Sequence, residues 1–428
     1  MDKIHLKSPK GWINDPNGFI YYQGKYHLFY QHFPYAPIWG RMHWGHAVSE
    51  DLTCWEHLDT ALFPSKIADA DGCFSGSAVE HDGRMHIFYT GVKYDLPDPE
   101  NTNCSLTDEF TAAQLAITSE DGFTFDNFGG KSVIIPPIED KKRGDRTNTR
   151  DPKVWRGRDA WYMVLGTTVD QKGRLLFYKS ADLKTWEYVN CAANEHYGWM
   201  WECPDYFETD GAQVLVFSPL GINGENQAVC MLVDFNEETC EMKVSDDFQY
   251  FDYGLELYAP QSTLDKEGRR IVTAWLRSPE SPDGKSVGIY CIPRVCEVKG
   301  GHIYFRPHPN ITEKFTEKIS SPAEATDSEY SFKTELAEGE KIIAGGYMIG
   351  RAGNRIYTDK SRVIRNHTEC RVLFETPELS GKCTIEVFVA PNIIEVYVNG
   401  GEFVITNAVY DLSDEFVSEK EISLFTVK

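Results

Sequence analysis

A strand, turn, strand pattern of hydrophobic positions recurs five times in the first 305 residues of the chain. In each repeat, two runs rich in aromatic and β-branched residues flank a short turn that contains glycine. Asp-Gly and similar pairs between two apolar runs are a strong signal for β-hairpins. The pattern therefore predicts five hairpins, over residues 18–30, 77–89, 153–165, 205–217 and 262–275.

A second element follows three of these hairpins. It consists of Ser-x-Asp and a nearby aromatic residue, and it begins at Ser49, Ser119 and Ser180. The Ser-x-Asp predicts a turn, and the aromatic residue anchors a further strand. Four strands in each of five repeats predict a five-bladed β-propeller, in which radial repetition protects the sheet edges. The alternative is an array of ordinary β-sandwiches with coincidental spacing.

The repeat stops near residue 305, where the composition changes. Residues 320–328 are small, polar and proline-containing, which is typical of a linker. Beyond them, alternating apolar and polar positions over 383–389 and 393–398 predict the strands of a β-sandwich. The sequence thus predicts an all-β protein with a propeller over 1–305, a linker over 306–328 and a sandwich over 329–428.

Composition and charge narrow the function classes. The 428 residues carry a formal net charge of -22, which disfavours nucleic acid and anionic membranes as partners. No apolar run approaches the roughly 18 residues of a membrane span, and the N-terminal segment does not resemble a secretory signal. Eleven cysteines without a Cys-x-x-Cys pair indicate reduced thiols. We therefore expect a cytoplasmic protein whose oligomeric state the sequence leaves open.

Three acidic residues stand at matching places, where a predicted blade begins. Asp15 lies in Trp-Ile-Asn-Asp-Pro-Asn-Gly (12–18), Asp151 in Arg-Asp-Pro (150–152) and Glu202 in Trp-Glu-Cys-Pro-Asp (201–205). Because the first strand of every blade faces the propeller axis, these carboxylates are expected to meet at one mouth of the channel. Enzymatic cleavage of a glycosidic bond generally uses a pair of carboxyl groups that face each other across the bond. The sequence itself does not assign a role to each of them.

Residues near the three acids are suited to sugar recognition. Aromatic rings offer flat apolar faces to sugar C–H groups, and amides, hydroxyls and guanidinium groups bind sugar hydroxyls. The candidates of the first kind are Trp12, Trp39, Trp44, Phe74, Trp199 and Trp201, and those of the second are Asn14, Gln31, Ser75, Arg150 and Gln261. His43 and His46 lack further ligands for a metal, so neither a metal nor a cofactor is predicted.

The motifs at 12–18, 74–78, 150–152 and 201–205, with those at 43–46 and 258–261, resemble the signature of glycoside hydrolase family 32. This family includes invertases, fructanases and sucrose-6-phosphate hydrolases. The resemblance implies a five-bladed propeller followed by a β-sandwich. It also implies that Asp15 is the nucleophile, Glu202 the acid/base and Asp151 the stabiliser of the transition state. The implied substrate-binding residues are Asn14, Gln31, Trp39, Phe74, Ser75, Arg150 and Trp275.

We therefore expect a retaining β-fructofuranosidase that acts on a small carbohydrate such as sucrose or a short fructo-oligosaccharide. Retention implies a separation of about 5–5.5 Å between the carboxyl groups of Asp15 and Glu202. Sucrose-6-phosphate hydrolysis and fructosyl transfer are alternatives within the same chemistry. A propeller that binds sugar without catalysis is an alternative of a different class, since propellers often serve as scaffolds.

Overall fold

The computed structural model describes residues 3–107, 109–278, 281, 283–365 and 370–428. Its architecture is the predicted one, a five-bladed propeller followed by a two-sheet sandwich. Each predicted hairpin lies in the first two strands of one blade. Among the described residues no helix is long and apolar enough to cross a membrane.

The first three blades are four-stranded antiparallel sheets whose first strand lies nearest the axis. Blade one contains β1 (Gly11–Tyr22), β2 (Lys25–Phe33), β3 (His43–Ser49) and β4 (Glu56–Leu62). Blade two contains β5 (Gly72–His81), β6 (Arg84–Tyr94), β7 (Phe110–Ser119) and β8 (Ser132–Ile135), after a 3₁₀ turn at Ile67–Asp69. Blade three contains β9 (Arg150–Arg156), β10 (Trp161–Val169), β11 (Lys172–Ser180) and β12 (Glu187–Ala193).

Blades four and five have the same core of strands with short additions. Blade four contains β13 (Met200–Thr209), β14 (Ala212–Ile222), β15 (Glu225–Asn226), β16 (Val229–Leu232) and β19 (Gln249–Tyr250). A separate two-stranded ribbon, β17 (Asp234–Asn236) and β18 (Glu241–Lys243), lies between β16 and β19 in the sequence. Blade five contains β20 (Leu257–Leu264), β21 (Arg270–Leu276), β23 (Ile289–Tyr290), β24 (Arg294–Lys299) and β25 (His302–Pro307).

The ring is closed by contacts between the two ends of the propeller sequence. Strand β22 (Ser286–Val287) pairs in parallel with the start of β1, so that Gly11 faces Ser286 and Trp12 faces Val287. A bridge between Lys7 and Ile289 adds to this closure. The first and fifth blades are thereby held together, which fixes the positions of all five inner strands around the axis.

The sandwich consists of two facing sheets. The six-stranded sheet has the order β26, β36, β27, β32, β33, β34, and the five-stranded sheet has the order β31, β30, β29, β28, β35. The bounds are β26 Phe315–Ile319, β27 Tyr330–Glu335, β28 Lys341–Ala344, β29 Tyr347–Ala352, β30 Arg355–Asp359, β31 Leu373–Glu375, β32 Thr384–Ala390, β33 Ile393–Val398, β34 Phe403–Ala408, β35 Phe416–Ser418 and β36 Leu424–Val427.

The segment expected to be a linker carries local structure of its own. It contains the helix α1 (Pro309–Thr312), the strand β26, and 3₁₀ turns at Pro322–Glu324 and Thr326–Ser328. Because β26 pairs with β36, the last strand of the chain, part of this segment belongs to a sandwich sheet. The bounds 1–305, 306–328 and 329–428 remain a prediction.

The propeller and the sandwich share one hydrophobic core. Phe251 and Phe305 of the propeller lie in the same buried cluster as Phe388 and Tyr397 of the sandwich. Burial of aromatic side chains of this size contributes a large share of the hydrophobic stabilisation in a folded protein. The sandwich is therefore packed against blades four and five.

Candidate active site

A cavity of about 460 Å³ opens at one mouth of the propeller channel. The first four blades contribute to its wall, chiefly through the beginnings of their inner strands. The lining residues are Asn14, Asp15, Gln31, Trp39, Phe74, Ser75, Tyr94, Cys104, Ser105, Thr107, Phe110, Asn148, Arg150, Asp151 and Glu202. The three acids expected to meet at the axis therefore line one pocket, and so do six of the seven expected substrate-binding residues.

A β-bulge interrupts each inner strand near this mouth. The register shifts fall between Ile13 and Pro16 in β1, between Cys73 and Gly76 in β5, and at corresponding places in β9, β13 and β20. A bulge adds a residue to one strand and turns its side chains to a new direction. Five bulges at the same level thus direct the strand-entry residues into the pocket.

Three of the bulges hold a non-glycine residue in the left-handed region of backbone conformation. The φ angles are 68° at Asp151, 48° at Cys203 and 51° at Ala259. Such conformations cost on the order of 1–3 kcal/mol and persist where the surrounding structure enforces them, often at functional sites. The backbone strain is concentrated beside the acidic cluster, where it orients Asp151 and the residue after Glu202.

Asp15 receives hydrogen bonds on both carboxyl oxygens. Ser75 Oγ donates to Oδ2 at 2.5 Å, Asn14 Nδ2 donates to Oδ1 at 3.2 Å, and Cys203 Sγ lies 3.4 Å from Oδ2. Burial raises the pKa of Asp15 above its usual range, and the charge of Glu202 raises it further, whereas the Ser75 and Asn14 donors lower it. The donors therefore counteract part of the cost of holding a charge in this pocket.

Asp151 is the most enclosed of the three acids, with 6% of its surface exposed. The backbone N–H of Cys203 donates to its Oδ2 at 2.9 Å, and its own N–H donates to Thr90 Oγ1 at 2.9 Å. Burial raises the pKa of Asp151 to about 7; Arg150 opposes this, while the other two acids reinforce it. The negative charges of Glu202 and Asp15 thus disfavour ionisation of Asp151 in this enclosed site.

Glu202 is held on both oxygens. Arg150 donates to Oε1 through Nη2 at 2.7 Å and Nε at 3.1 Å, and Tyr258 Oη donates to Oε2 at 2.6 Å. The Nη1 group of Arg150 donates to Asn148 Oδ1 at 3.0 Å, which fixes the guanidinium plane. The two hydrogen bonds from Arg150 to Oε1 hold the carboxyl group of Glu202 more strictly than a single hydrogen bond would.

The other expected substrate-binding residues form a polar and an aromatic side of the pocket. Gln31 Nε2 donates to Ser75 Oγ at 3.1 Å, so that Gln31, Ser75 and Asp15 form one hydrogen-bonded chain. Trp39 is 42% exposed at the rim, and its ring meets Phe74 edge-on at 6.0 Å. The two rings present apolar surface beside the acids.

Trp275 does not line the cavity described by the structure. It packs edge-on against Trp12 at 5.7 Å, and Trp12 Nε1 donates to Asn14 Oδ1 at 2.8 Å. Trp275 is thereby connected to the pocket-lining residue Asn14 through Trp12. Its role in substrate binding stays a prediction.

Several residues that line the cavity or contact its acids were not among the expected site residues. Tyr258 and Cys203 lie inside the quoted motifs, and their contacts with Glu202 and Asp15 depend on how neighbouring blades pack. Asn148 precedes the Arg150 motif by two residues. The remaining wall comes from the end of β6, the loop after it and the first residue of β7, and carries no motif: Tyr94, Cys104, Ser105, Thr107 and Phe110.

The propeller fold and the enclosed carboxylate cluster define a class of protein, the enzymes that cleave glycosidic bonds. Residues 5–307 match the family described as "Glycosyl hydrolases family 32 N-terminal domain", and residues 346–428 match "Glycosyl hydrolases family 32 C terminal". The chain belongs to glycoside hydrolase family 32. The expected family and fold are confirmed.

Individual relatives cover nearly the whole chain. The sucrose-6-phosphate hydrolase of Escherichia coli is 32% identical over 99% of this chain and 91% of its own length, and the raffinose invertase of Escherichia coli is 33% identical over the same shares. The GH32 beta-fructofuranosidase of Bombyx mori superposes with a TM-score of 0.84 at 27% identity, over 100% of this chain and 94% of that structure.

Proposed function

We propose that this protein is a retaining β-fructofuranosidase, which releases terminal non-reducing β-D-fructofuranosyl groups from sucrose or short fructo-oligosaccharides. The observation that carries the proposal is the convergence of Asp15, Asp151 and Glu202, from three different blades, on one pocket. The names of the relatives, which are a sucrose-6-phosphate hydrolase, a raffinose invertase and a beta-fructofuranosidase, support the same chemistry.

In the proposed first step, a carboxylate oxygen of Asp15 attacks the anomeric carbon of the fructosyl group. The bond from that carbon to the leaving oxygen breaks, and the leaving oxygen takes the proton of the Glu202 carboxyl group. In the second step Glu202 takes a proton from water, whose oxygen bonds to the anomeric carbon and displaces Asp15. Two inversions at one carbon retain its configuration.

We assign Asp151 to stabilising the positive charge that develops on the fructosyl ring. A preorganised carboxylate acts on such a charge without reorganising at the moment of reaction. The position of Asp151 supports this role, because the Cys203 N–H and the strained backbone hold its carboxyl group in place. Arg150 orients Glu202, and it carries the positive charge that partly balances the three acids.

The fructosyl group is proposed to lie between the polar and the aromatic sides of the pocket. Asn14, Gln31 and Ser75 bind its hydroxyl groups, and Trp39 and Phe74 contact its apolar edge. The resting hydrogen bonds from Ser75 and Asn14 to Asp15 support this arrangement, because they keep the proposed nucleophile at a fixed place before substrate arrives.

Sucrose-6-phosphate hydrolysis is the second candidate, because several relatives are named for it. A phosphate on the glucosyl group needs a cationic partner, and among the described residues that line the pocket Arg150 is the one Lys or Arg side chain. Arg150 is already engaged with Glu202 and Asn148. We therefore rank unphosphorylated sucrose ahead of sucrose 6-phosphate.

The test is release of fructose from sucrose, sucrose 6-phosphate, kestose and inulin, measured side by side, with the Asp15→Asn protein as the control. We expect kcat/KM to be highest for sucrose or kestose, and release to fall by at least a thousandfold in the control. A preference for sucrose 6-phosphate would replace the leading candidate by the second. An excess of free glucose over free fructose would instead indicate fructosyl transfer. If none of the four substrates released fructose, the proposal would be wrong.

We also propose that the protein acts in the cytoplasm. Within the described residues no two cysteines are joined by a disulfide, and seven of the eleven, Cys73 and Cys291 among them, are buried or lie within the pocket wall. Thiols of this kind persist in a reducing compartment. Fractionation of the producing cells, with invertase activity followed in each fraction, tests the assignment; activity confined to the extracellular fraction would overturn it.

A further inference from the structure

A second cavity, of about 1040 Å³, opens at the other mouth of the propeller channel. All five inner strands contribute to its wall, each through the part that follows its bulge: residues 19–21 of β1, 78–80 of β5, 153–156 of β9, 206–208 of β13 and 262–264 of β20. The catalytic pocket is lined by the beginnings of the inner strands. This second cavity, which we call the lower chamber, therefore lies at the opposite end of the same axis.

A plug of polar side chains separates the lower chamber from the catalytic pocket. Lys153 Nζ donates to Asp205 Oδ2 and to the Ser262 carbonyl, each at 2.8 Å, and so joins blades three, four and five. Gln261 Nε2 donates to the Gly76 carbonyl at 2.9 Å on the other side of the axis. The void left between the two cavities is about 10 Å³, close to the volume that one water requires. A ligand in one cavity does not reach the other.

Arg270 lines the lower chamber and has a buried Nε without a hydrogen-bond partner among the described residues. It is on β21, directly across from Leu264 of β20, and its guanidinium lies 5.0 Å from the centre of the Phe207 ring. In the described ranges this guanidinium makes no hydrogen bond and no ion pair, and its Nε is shielded from solvent without a partner. A buried donor left unsatisfied costs about 1–3 kcal/mol, which a bound acceptor removes.

Four acidic residues line the lower chamber; three of them accept hydrogen bonds through their carboxylates, and the fourth, Glu238, is exposed. Glu80 accepts from the Gly83 N–H at 2.8 Å, Glu237 accepts from the Arg158 N–H at 3.2 Å, and Glu208 accepts from Tyr206 Oη at 3.3 Å. Glu80 and Glu208 are exposed at the rim. Within the part of the chain that the structure describes, none of these carboxylates forms an ion pair with Arg270. The inner guanidinium therefore remains available to an external anion.

The rest of the wall is suited to an organic group. Trp155 lines the lower chamber and is backed by Tyr206, at 4.8 Å between ring centres. Arg156 and Arg158 add positive charge at the exposed rim. A volume of this size greatly exceeds that of a simple oxyanion and matches that of small-molecule sites in proteins. Aromatic surface beside a guanidinium favours a ligand with both an anionic and an organic part.

We propose that the lower chamber binds a phosphorylated small molecule, with the phosphate on the Arg270 guanidinium and the organic part against Trp155. The planar guanidinium of an arginine can donate two parallel hydrogen bonds. This geometry fits phosphate and carboxylate groups. The site is separate from the catalytic pocket and is independent of the function proposed for that pocket.

Calorimetric titration with inorganic phosphate, glucose 6-phosphate and glucose tests the proposal. We expect glucose 6-phosphate to bind more tightly than inorganic phosphate, and glucose alone to bind at least tenfold more weakly than glucose 6-phosphate. The variant Arg270→Gln should weaken glucose 6-phosphate binding at least tenfold. The matched control is Arg84→Gln, which removes the same charge from an exposed surface pair with Glu120 and should leave binding unchanged.

A second variant keeps the test decisive if Arg270→Gln folds poorly. Leu264 is 46% exposed and pairs with Arg270 across neighbouring strands, so Leu264→Glu places a carboxylate on the same face of the blade. It should abolish glucose 6-phosphate binding while keeping the unfolding midpoint at or above that of the unaltered protein. Equal affinity in Arg270→Gln, Leu264→Glu and Arg84→Gln would overturn the proposal, as would the absence of binding by either phosphate compound.

Discussion

Tyr258 donates a hydrogen bond to Glu202 Oε2 at 2.6 Å, and so links the inner strand of blade five to that of blade four at the acidic cluster. The same hydroxyl lies 3.2 Å from the Ser218 carbonyl, which fixes its position behind the carboxyl group. Since Arg150 holds the opposite oxygen, Glu202 is restrained from two blades at once. Its orientation therefore depends on the packing of the ring as well as on its own strand.

The variant Tyr258→Phe tests this restraint. Glu202 becomes charged once it has protonated the leaving oxygen, and a hydrogen bond to a charged group contributes about 1.5–3 kcal/mol. We therefore expect kcat on sucrose to fall by about 10- to 100-fold, with KM changed much less. Tyr162→Phe is the matched control, because it removes a tyrosyl hydroxyl that bonds the Glu237 carbonyl far from the pocket. Equal kcat in the two variants would show that Tyr258 does not position Glu202.

The proposed roles of Asp15 and Glu202 predict different dependence on the leaving group. Glu202→Gln removes the proton donor, so activity on sucrose should fall at least a thousandfold while an aryl fructoside with an acidic leaving group is cleaved far better. Asp15→Asn removes the nucleophile, so activity on both substrates should fall together. Steady-state rates on the two substrates make the comparison. The assignment fails if Glu202→Gln impairs the activated substrate as severely as sucrose.

Asp151 is predicted to reduce stability at neutral pH. Its pKa is about 7 in the folded protein against 3.8 for the unperturbed group, so between these values the folded state binds more protons than the unfolded state. The free energy of unfolding therefore falls as the pH rises from about 4 to about 7. A difference of about 3 pKa units corresponds to about 4 kcal/mol.

Asp151→Asn removes this charge and keeps an oxygen for the Cys203 N–H. We expect the variant to be inactive, to unfold at a higher denaturant concentration than the unaltered protein at pH 8, and to match it at pH 4. Denaturant titrations at both pH values check the expectation, with the exposed Asp159→Asn as the control for the same chemical change. The raised pKa of Asp151 would be contradicted if Asp151→Asn lost stability, relative to the unaltered protein, on going from pH 4 to pH 8.

The blades were predictable from the sequence because their signals are local. The turn glycines at 24, 83, 157, 211 and 268 and the apolar runs beside them determine each hairpin within about fifteen residues. The closure of the ring was not predictable in this way, since β22 and the start of β1 are more than 270 residues apart in the chain. Pairing at such a distance depends on the completed propeller.

The site was predictable to a similar degree. The motifs identified Asp15, Asp151 and Glu202, because each stands where a strand enters the channel. The left-handed conformations of Cys203 and Ala259 were not predictable, since neither residue type favours them and the bulges enforce them. Trp275 lies on β21, the second strand of blade five, and packs against Trp12, which in turn donates to Asn14.

Arg294 of the propeller is fully buried between Asp252, at 2.9 Å, and Glu395 of the sandwich, at 3.0 Å. Glu395 also accepts from the Ile292 N–H at 2.9 Å and lies 3.0 Å from His5 Nε2, so that one carboxylate joins three segments of the chain. The hydrogen bond to His5 and the charge of Arg294 outweigh burial and hold the pKa of Glu395 below its usual value of 4.5.

Removing this carboxylate is expected to destabilise the contact between the two domains. Breaking a buried ion pair from one side costs about 3–5 kcal/mol, because the other charge stays buried, so Glu395→Gln should lower the free energy of unfolding by that amount at pH 7. The control Glu386→Gln breaks a pair with the exposed Lys333 on the neighbouring strand β27, and should change stability by about 1 kcal/mol or less.

The deficit of Glu395→Gln should also depend on pH in a defined direction. Because the pKa of Glu395 is lowered by folding, its contribution is complete above the unfolded value of 4.5 and is lost as the pH falls through the folded value. The difference in stability between the two proteins should therefore shrink as the pH falls below 4.5. Denaturant unfolding at pH 7, 5 and 3.5, followed by tryptophan fluorescence, measures how the difference in stability changes with pH. A difference that stays constant over the three pH values would show that Glu395 stabilises the interface by shape rather than by charge.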